Sequence, residues 1–367
     1  MRLPGDREPG RRCRSTDGIE DVRKTIRTME DFSEFVGLSR PTVSKYFNDP
    51  ASVRPGTRER IETAIRQSGF RPNLFAVNLN RRRTTILGII IPTQLDHFYM
   101  AMTRRLQSLA EQRGYLAVVL SSDGKPELEK RAVETLRSLN VAGVIIAPLG
   151  QKSHHSTLTR LARDVPTVYV DSPLDENSPF VGTDNVKSFH LIVDYLCRSG
   201  TPPCYFSMPD VNNNAFQRRD AYRAAMEKIG HEPRLIALEP SRSWEFEQYA
   251  FEETARILRE KGSFPTSTIL CANDRIAFGV MGALWQAGMR VGHRDDCDFR
   301  VAGHDNNPTS QYTCPPLTTV AQDYNEIGTL AMEQIFRILG EDTEEEANAL
   351  QCRRILLDAE LKLRISA

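Results

Sequence analysis

Apolar and polar positions change their rhythm along the chain. Over residues 28–80 the apolar residues recur at three- and four-residue spacing: Phe32, Phe35 and Val36, then Val43, Tyr46 and Phe47, then Ile61, Ala64 and Ile65. That period predicts short amphipathic helices. At Ile86-Leu-Gly-Ile-Ile-Ile-Pro92 the pattern becomes wholly apolar, β-branched and stopped by a proline, which predicts a strand buried on both faces. Strands and helices then alternate. Strands are predicted at 115–120, 144–147, 166–170, 204–208, 234–238, 268–272 and 299–302, and helices at 99–113, 127–139, 158–163, 185–198, 215–229, 245–261 and 275–287. Such alternation means βαβ units and parallel sheets. So many strands exceed one compact sheet, and two sheets with a cleft between them fit the length of 367 residues better. Ligands in such folds sit beyond the carboxyl ends of the strands. Those ends are polar here: Asp171 follows one strand, Asn273-Asp274 another, and His304-Asp305-Asn306 a third.

The helical block carries a specific constellation. Thr28 with Asp31 three residues on predicts a capping box, and Gly37 supplies the left-handed residue that ends a first helix in a tight turn. Ser39 is placed to cap a second helix with Pro41 in its first turn, where a missing N–H costs nothing. Val43, Tyr46 and Phe47 would face the first helix, leaving Arg40, Pro41, Ser44 and Lys45 outward. A third helix over 55–68 would close the domain, with Arg58, Arg60 and Arg66 outside. Two short helices across a Gly turn, the second polar and basic outside, are a helix-turn-helix arrangement. Arg40 and Lys45 are candidates for guanine edges, and the third-helix arginines for phosphates.

Charge sharpens this picture. The 48 basic and 48 acidic residues cancel overall. Residues 1–85, however, hold 18 Lys+Arg against 11 Asp+Glu, whereas residues 86–367 hold 30 against 37. The neutral whole is a module of +7 joined to a body of −7, and the basic end is expected to meet a polyanion.

Other chemistry is not signalled. With 40% hydrophobic and 26% charged residues the composition is that of an ordinary globular chain, and no apolar run approaches the length of a membrane span. The seven cysteines are scattered without C-x-x-C spacing, which suggests reduced thiols in a cytoplasm, with Cys271 in a core strand. Residues 1–24 lack the apolar core of a signal peptide and are expected to be a disordered extension. The acidic run Glu344-Glu345-Glu346 reads as a solvated loop. The histidines form no H-E-x-x-H, and there is no phosphate-binding Walker loop, no G-x-S-x-G and no G-x-G-x-x-G after a strand, so an enzyme is not expected. No metal or cofactor is expected.

The segment Thr-x-x-Asp-(x)5-Gly-Leu-Ser-x-x-Thr-Val-Ser-Lys, followed by Thr57-Arg58-Glu59-Arg60-Ile61 and by Gly69-Phe70-Arg71-Pro72-Asn73, resembles the lactose/galactose-repressor family of bacterial transcription factors. The resemblance extends over nearly all of residues 25–367. It implies an α/β chain with an all-α helix-turn-helix domain at 25–71, a hinge helix and linker at 72–85, and a two-lobed domain like periplasmic binding proteins at 86–367. The first lobe would comprise about 86–184 plus 324–350. The implied DNA-facing residues are Thr28, Ser39, Arg40, Pro41, Thr42, Ser44, Lys45, Arg58, Asn73 and Leu79, with Leu79 wedged into the minor groove. The other reading is that Leu74, Phe75 and Leu79 pack onto the body. Two features depart from the family: the helix-turn-helix begins some way later than usual, and Pro41 holds a base-reading position often filled by a hydrogen-bonding residue.

For the body, the resemblance implies a ligand clamped between lobes by His97, Phe98, Asp171, Arg218, Trp244, Asn273, Asp305 and Gln322. Asp, Asn and Arg suit vicinal hydroxyls and Trp an apolar sugar face. Each has a plainer alternative: Asn273-Asp274 as a helix cap, Trp244 as core packing, Asp171 and Asp305 as turn residues. The expected protein is a cytoplasmic, nucleoid-associated repressor, a homodimer (with a tetramer left open) that binds double-stranded operator DNA and whose affinity for it is switched by a small carbohydrate-like effector. Induction and corepression both remain open. The alternative is a transport-associated solute-binding protein of the same two-lobed fold, against which the basic module and the missing signal peptide both count.

Overall fold

The computed structural model describes residues 26–72, 84–340 and 354–367. The expectations for the extension at 1–24, for the hinge with Asn73 and Leu79, and for Glu344–Glu346 lie outside the described residues. The chain divides into two compact units with the boundary between Thr84 and Thr85.

The first unit is all helical. Helix α1 (Met29–Val36) starts at a complete capping box: the Asp31 N–H donates to Thr28 Oγ1 at 3.1 Å and the Thr28 N–H donates to Asp31 Oδ2 at 3.0 Å. Both satisfy orphan amides at the helix start. Gly37 ends α1 with φ 64°, and a Cβ there would also come within 2.7 Å of Arg60 Nη2. Helix α2 (Arg40–Asn48) begins after Ser39, and α3 (Pro55–Ser68) ends at Gly69 with φ 65°. Ser39 stands at the N-cap position, but its hydroxyl meets Thr42 Oγ1 at 2.8 Å instead of a backbone amide. Phe32, Val36, Val43, Tyr46, Ile61 and Ala64 are buried together, as their spacing predicts. Phe70 joins them, stacked on Phe32 with ring centroids 4.4 Å apart.

The second unit has two lobes, each a six-stranded sheet. In the first lobe β1 (Ile86–Ile91), β2 (Leu116–Ser121), β3 (Gly143–Ile146), β4 (Thr167–Val170) and β5 (Phe180–Thr183) alternate with α4 (His97–Gln112), α5 (Pro126–Ser138) and α6 (His155–Asp164). The second lobe contains α7 (Asn185–Ser199), β6 (Cys204–Phe206), α8 (Asn213–Ile229), β7 (Arg234–Leu235), α9 (Phe246–Lys261), β8 (Thr268–Cys271), α10 (Asp274–Gln286), β9 (Arg300–Asp305) and β10 (Thr318–Ala321). Helix α11 (Tyr324–Leu339) and β11 (Arg354–Leu357) return to the first lobe, and β12 (Glu360–Lys362) ends in the second. The sheet orders are β11-β5-β4-β3-β1-β2 and β12-β10-β9-β8-β6-β7. All pairings are parallel except β10 with β12.

Every residue of β1 is buried, as an Ile-rich strand covered on both faces must be. Leu87, Ile89 and Ile91 pack with α4 and α11 on one face, while Ile86 and Ile90 pack with α5 and α6 on the other. Each fully buried Ile or Leu contributes about 1.5–3 kcal/mol. Gly88 is needed where α5 crosses β1, because a Cβ would collide with the Leu136 side chain.

The elements at 86–302 fall where the alternation predicts them, within a few residues. Strand β5 and everything after β9 were not predicted. The first lobe also extends past its expected end at 350: Arg354–Leu357 pairs in parallel with β5, so the third crossing between lobes comes after Leu357. The cause is that β11 alternates exposed and half-buried positions at a sheet edge and lacks the apolar run of an inner strand. Three short passages at 184, 322–323 and 358–359 therefore join the lobes. Two are tied directly, Thr183 Oγ1 donating to Gln322 Oε1 at 2.6 Å.

A candidate ligand cleft and a candidate DNA-facing surface

The outer face of α2 presents Arg40, Pro41 and Lys45 to solvent, with Thr42 and Ser44 half-buried beside them. Arg40 Nε pairs with Glu30 Oε1 at 2.8 Å. Both are well exposed, and such a pair is worth at most about 1 kcal/mol, so a guanine edge or a phosphate competes with it easily. Thr28 is exposed but engaged in its capping box. Arg58 is half-buried, its Nε without a hydrogen-bond partner. Arg60 turns inward toward the Gly37 carbonyl at 3.4 Å.

The carboxyl ends of both sheets face each other in the body. A small cavity there is lined by Phe98, Tyr99 and Asp171 from the first lobe, by Arg218, Trp244, Asn273 and Asp305 from the second, and by Gln322 at a crossing. Seven of the eight residues expected to hold ligand thus meet in one place. His97 does not: it lies at the start of α4 with its ring 6.3 Å from that of Tyr324, lining a neighbouring space instead. The helical period explains this, since His97 and Phe98 project about 100° apart.

Asp305 is the hub. It accepts from Arg218 Nη2 at 2.9 Å and from Gln322 Nε2 at 2.7 Å, with His304 Nδ1 at 2.9 Å. Arg218 Nη1 also donates to the Ala272 carbonyl at 2.9 Å. Burial pushes the Asp305 carboxyl up, but Arg218 and His304 outweigh it and its pKa is lowered. His304 is fully buried and is driven down to about 4 by desolvation and by Arg218, so it is neutral. With Ser188 Oγ 3.0 Å from His304 Nε2, the imidazole is braced at both ends.

Asp171 accepts from the Tyr99 hydroxyl at 2.7 Å and feels Arg218 without bonding to it among the described residues. Burial raises its pKa to about 6. Asp171 and Asp305 both have left-handed backbone, φ 63° and 113°. Such positions in non-glycine residues are strained and are retained where the surroundings over-determine them, often at binding sites.

The plainer readings hold for part of the set. Asn273 is an N-cap, its Oδ1 accepting from Ile276 N at 2.9 Å, and it lines the cavity as well. Asp274 is an internal anchor. Its carboxylate accepts from Ser310, from Thr319 at 2.5 Å and from the Asn307 amide at 2.7 Å, and Gly303 is required because a Cβ would collide with it. Trp244 stacks on Phe246 with centroids 5.6 Å apart and approaches Tyr99 across the cleft at 6.5 Å. It packs against the cores of both lobes.

The structure adds Asp96, Met208, Asn212, Asn214 and Phe246 to the lining. Asn212 and Asn214 stand in a polar run after β6, the same strand-end position that singled out Asp171. Asn214 Nδ2 reaches across to the Asp171 carbonyl at 3.3 Å. Asp96 pairs across the cleft with Arg275 at 3.5 Å, and Arg275 is held by Glu247 at 2.6 Å and lies over Phe246. The enclosed space is about 20 Å³, room for roughly one water. Small-molecule sites enclose about 300–1,000 Å³. As the two lobes stand, the space between them is too small for a sugar-sized molecule. No group of His, Cys, Asp and Glu with metal-binding geometry occurs among the described residues.

A basic helix-turn-helix unit joined to two lobes around a polar cleft defines a DNA-binding protein that senses a small ligand. Residues 28–73 match the bacterial regulatory proteins of the lacI family, and residues 193–366 match the periplasmic binding protein-like domain. The ribose operon repressor of Escherichia coli (strain K12) is 28% identical over 338 residues, spanning 90% of this chain and 98% of that protein. The HTH-type transcriptional repressor PurR of Histophilus somni (strain 129Pt) is 24% identical over 322 residues, 87% of this chain and 94% of that one. A crystal structure of the Lac repressor dimer bound to operator and the anti-inducer ONPF superposes with a TM-score of 0.77 at 25% identity, covering 92% of this chain and 98% of that one. The chain belongs to the lacI family and is a ligand-responsive, DNA-binding transcriptional regulator. The transport-associated alternative loses its footing, because residues 28–73 match a family of DNA-binding regulators and the relatives are repressors over nearly their whole length. No helix among the described residues is long and apolar enough to cross a membrane.

Proposed function

We propose that this regulator is a cytoplasmic homodimeric repressor whose operator affinity is set by a polyhydroxylated ligand held between Asp171, Arg218, Trp244, Asn273, Asp305 and Gln322. The observation that carries this is the Asp305 hub: a carboxylate kept charged by Arg218, beside an amide, an aspartate and an indole at the ends of facing strands. That set offers paired donors and acceptors for vicinal hydroxyls and an apolar face for a ring. A relative is the repressor of a ribose operon, which also favours a sugar.

A ligand shifts the lobe equilibrium only through different affinities for the open and closed forms. The first lobe's β1 follows directly on residues 73–83, which link it to the helix-turn-helix, so lobe movement is passed to the DNA-binding units through that segment. On DNA, α2 supplies Ser39, Arg40, Pro41, Thr42, Ser44 and Lys45 to the major groove, while Thr28, Arg58 and Asn73 meet the backbone and Leu79 the minor groove.

A thermal-shift screen of neutral sugars, sugar acids, sugar alcohols and nucleobases tests the cleft, since a true ligand raises apparent stability by mass action. Asp305→Asn is expected to abolish the shift while leaving salt-sensitive binding to the protein's own upstream DNA intact. A shift retained in that variant refutes the cleft. On the DNA side, Lys45→Ala is expected to weaken specific binding by about 1–3 kcal/mol and non-specific binding by less. Equal losses would remove Lys45 from base reading.

A further inference from the structure

A second chamber opens at the mouth of the cleft, with a volume of about 500 Å³. Its walls come from both lobes: Gln151 and Lys152 follow β3 in the first, and Asp210–Asn212, Phe216 and Pro240–Arg242 belong to the second. Asn212 lines this chamber and the inner cavity alike, so the two are neighbours through one side chain.

Charge in this chamber is unbalanced. Asp210 is matched by Arg219, whose Nη1 lies 3.6 Å away and whose guanidinium sits over Phe216 at 5.0 Å. The side chains of Lys152 and Arg242 have no ion pair or hydrogen bond among the described residues. They come from opposite lobes and feel one another: partial burial and the nearby Arg242 both lower the Lys152 pKa, against a weaker pull from Asp210. Closing the lobes therefore brings two unneutralised cations together, which opposes closure. Deeper in the cleft the charged side chains have partners: Asp171 accepts from Tyr99, Arg218 donates to Asp305, and Arg275 pairs with Asp96 and Glu247.

We propose that the effector is an anionic sugar, a polyol with one terminal phosphate or carboxylate, whose charged end bridges Lys152 of the first lobe and Arg242 of the second while its hydroxyls occupy the inner site. This rests on the cleft reading given above and adds to it the chemical class of the ligand. An anion between the two cations converts their repulsion into attraction across the mouth. It binds the closed form better than the open one, which is what a ligand needs in order to act as a switch.

The test uses the full-length protein and matched probes: ribose with ribose 5-phosphate, glucose with glucose 6-phosphate and gluconate, and inorganic phosphate alone. Affinities are measured by calorimetry at low and high salt for wild type, for K152A/R242A and for K152E/R242E. The phosphate or carboxylate form of at least one sugar is expected to bind roughly tenfold or more tightly than its neutral parent. That preference is expected to vanish in the alanine pair and to reverse in the glutamate pair, with neutral-sugar affinity unchanged in both. Preference for phosphate over carboxylate, or the reverse, identifies the terminal group. Neutral sugars binding as tightly as their anionic forms, or a preference that survives K152E/R242E, overturns the anion site and leaves the cleft reading standing. Absence of binding by every sugar overturns both, and phosphate that binds wild type and the glutamate pair equally is an adventitious ion only.

Discussion

Asp171 ends β4 in the first lobe and Asp305 ends β9 in the second, both with left-handed backbone and both facing the same small cavity. Their surroundings differ. Asp305 has Arg218, Gln322 and His304 within hydrogen-bond reach, and its carboxylate stays ionised. Asp171 is bonded by a phenol, and burial outweighs both that bond and the more distant pull of Arg218, lifting it to about 6. Asp96, on the same side, is lifted to about 6 by burial and by the charge of Asp305, despite Arg275 at 3.5 Å. The second lobe thus carries a fixed, internally compensated charge, and the first carries carboxyls whose ionisation is costly while the cleft is shut. A hydroxylated ligand meets a rigid acceptor on one side and adjustable groups on the other.

The largest expected effect comes from breaking the compensated side. Asp305→Ala leaves the Arg218 guanidinium buried without its acid, and is expected to cost about 3–5 kcal/mol in chemical denaturation. A loss below about 1 kcal/mol would mean that water replaces the carboxylate and that the hub is not fixed.

The adjustable side has a pH signature of opposite sense. An Asp171 pKa raised to about 6 means that the folded state holds a proton the unfolded state has released. Its ionisation therefore subtracts stability, from nothing below about pH 4 to as much as about 3 kcal/mol above pH 6–7. Asp171→Asn is expected to gain on wild type by up to that amount as pH rises from about 4 to 8, read from denaturation curves at both pH values. A difference independent of pH would show that Asp171 ionises freely.

Arg275 is the sharper probe of how the lobes communicate. Arg275→Met removes the guanidinium that spans Asp96 and Glu247, and is expected to cost about 1–3 kcal/mol. Scattering should report a larger radius of gyration at pH 8, where an unpaired Asp96 ionises by opening the cleft, than at pH 5. Equal radii would assign Arg275 to the second lobe alone. The smallest effect belongs to Tyr99→Phe, which deletes the 2.7 Å bond to Asp171 at a cost of about 0.5–1.5 kcal/mol and moves the pH-dependent loss of stability to higher pH.

Much of this was legible in the residues because it depends on local rules. The capping box at Thr28 and Asp31, the left-handed Gly37 and the fully buried β1 follow from interactions within a few positions or from an unbroken apolar run. The polar strand ends at Asp171, Asn273 and Asp305 also showed, since a parallel sheet presents those ends to a ligand. Strands β5 and β10 to β12 did not show: they are short, partly polar, and acquire strand conformation from neighbours far away in sequence. His97 was drawn into the site by adjacency to Phe98, which a helix does not respect.

The amino-acid sequence by itself determined the helix-turn-helix, the alternation of strands and helices, the +7 and −7 split of charge, and most of the residues that line the cleft. Tertiary structure alone decided what those residues are to one another. Asp171 and Asp305 are the same residue type at equivalent strand ends, and only the arrival of Arg218 from a distant helix to bond one of them, with His304 beside it, makes its charge permanent. The pairing of Asp96 with Arg275 and the facing of Lys152 and Arg242 were likewise invisible in the chain, because ionisation and repulsion depend on burial and distance and the sequence contains neither.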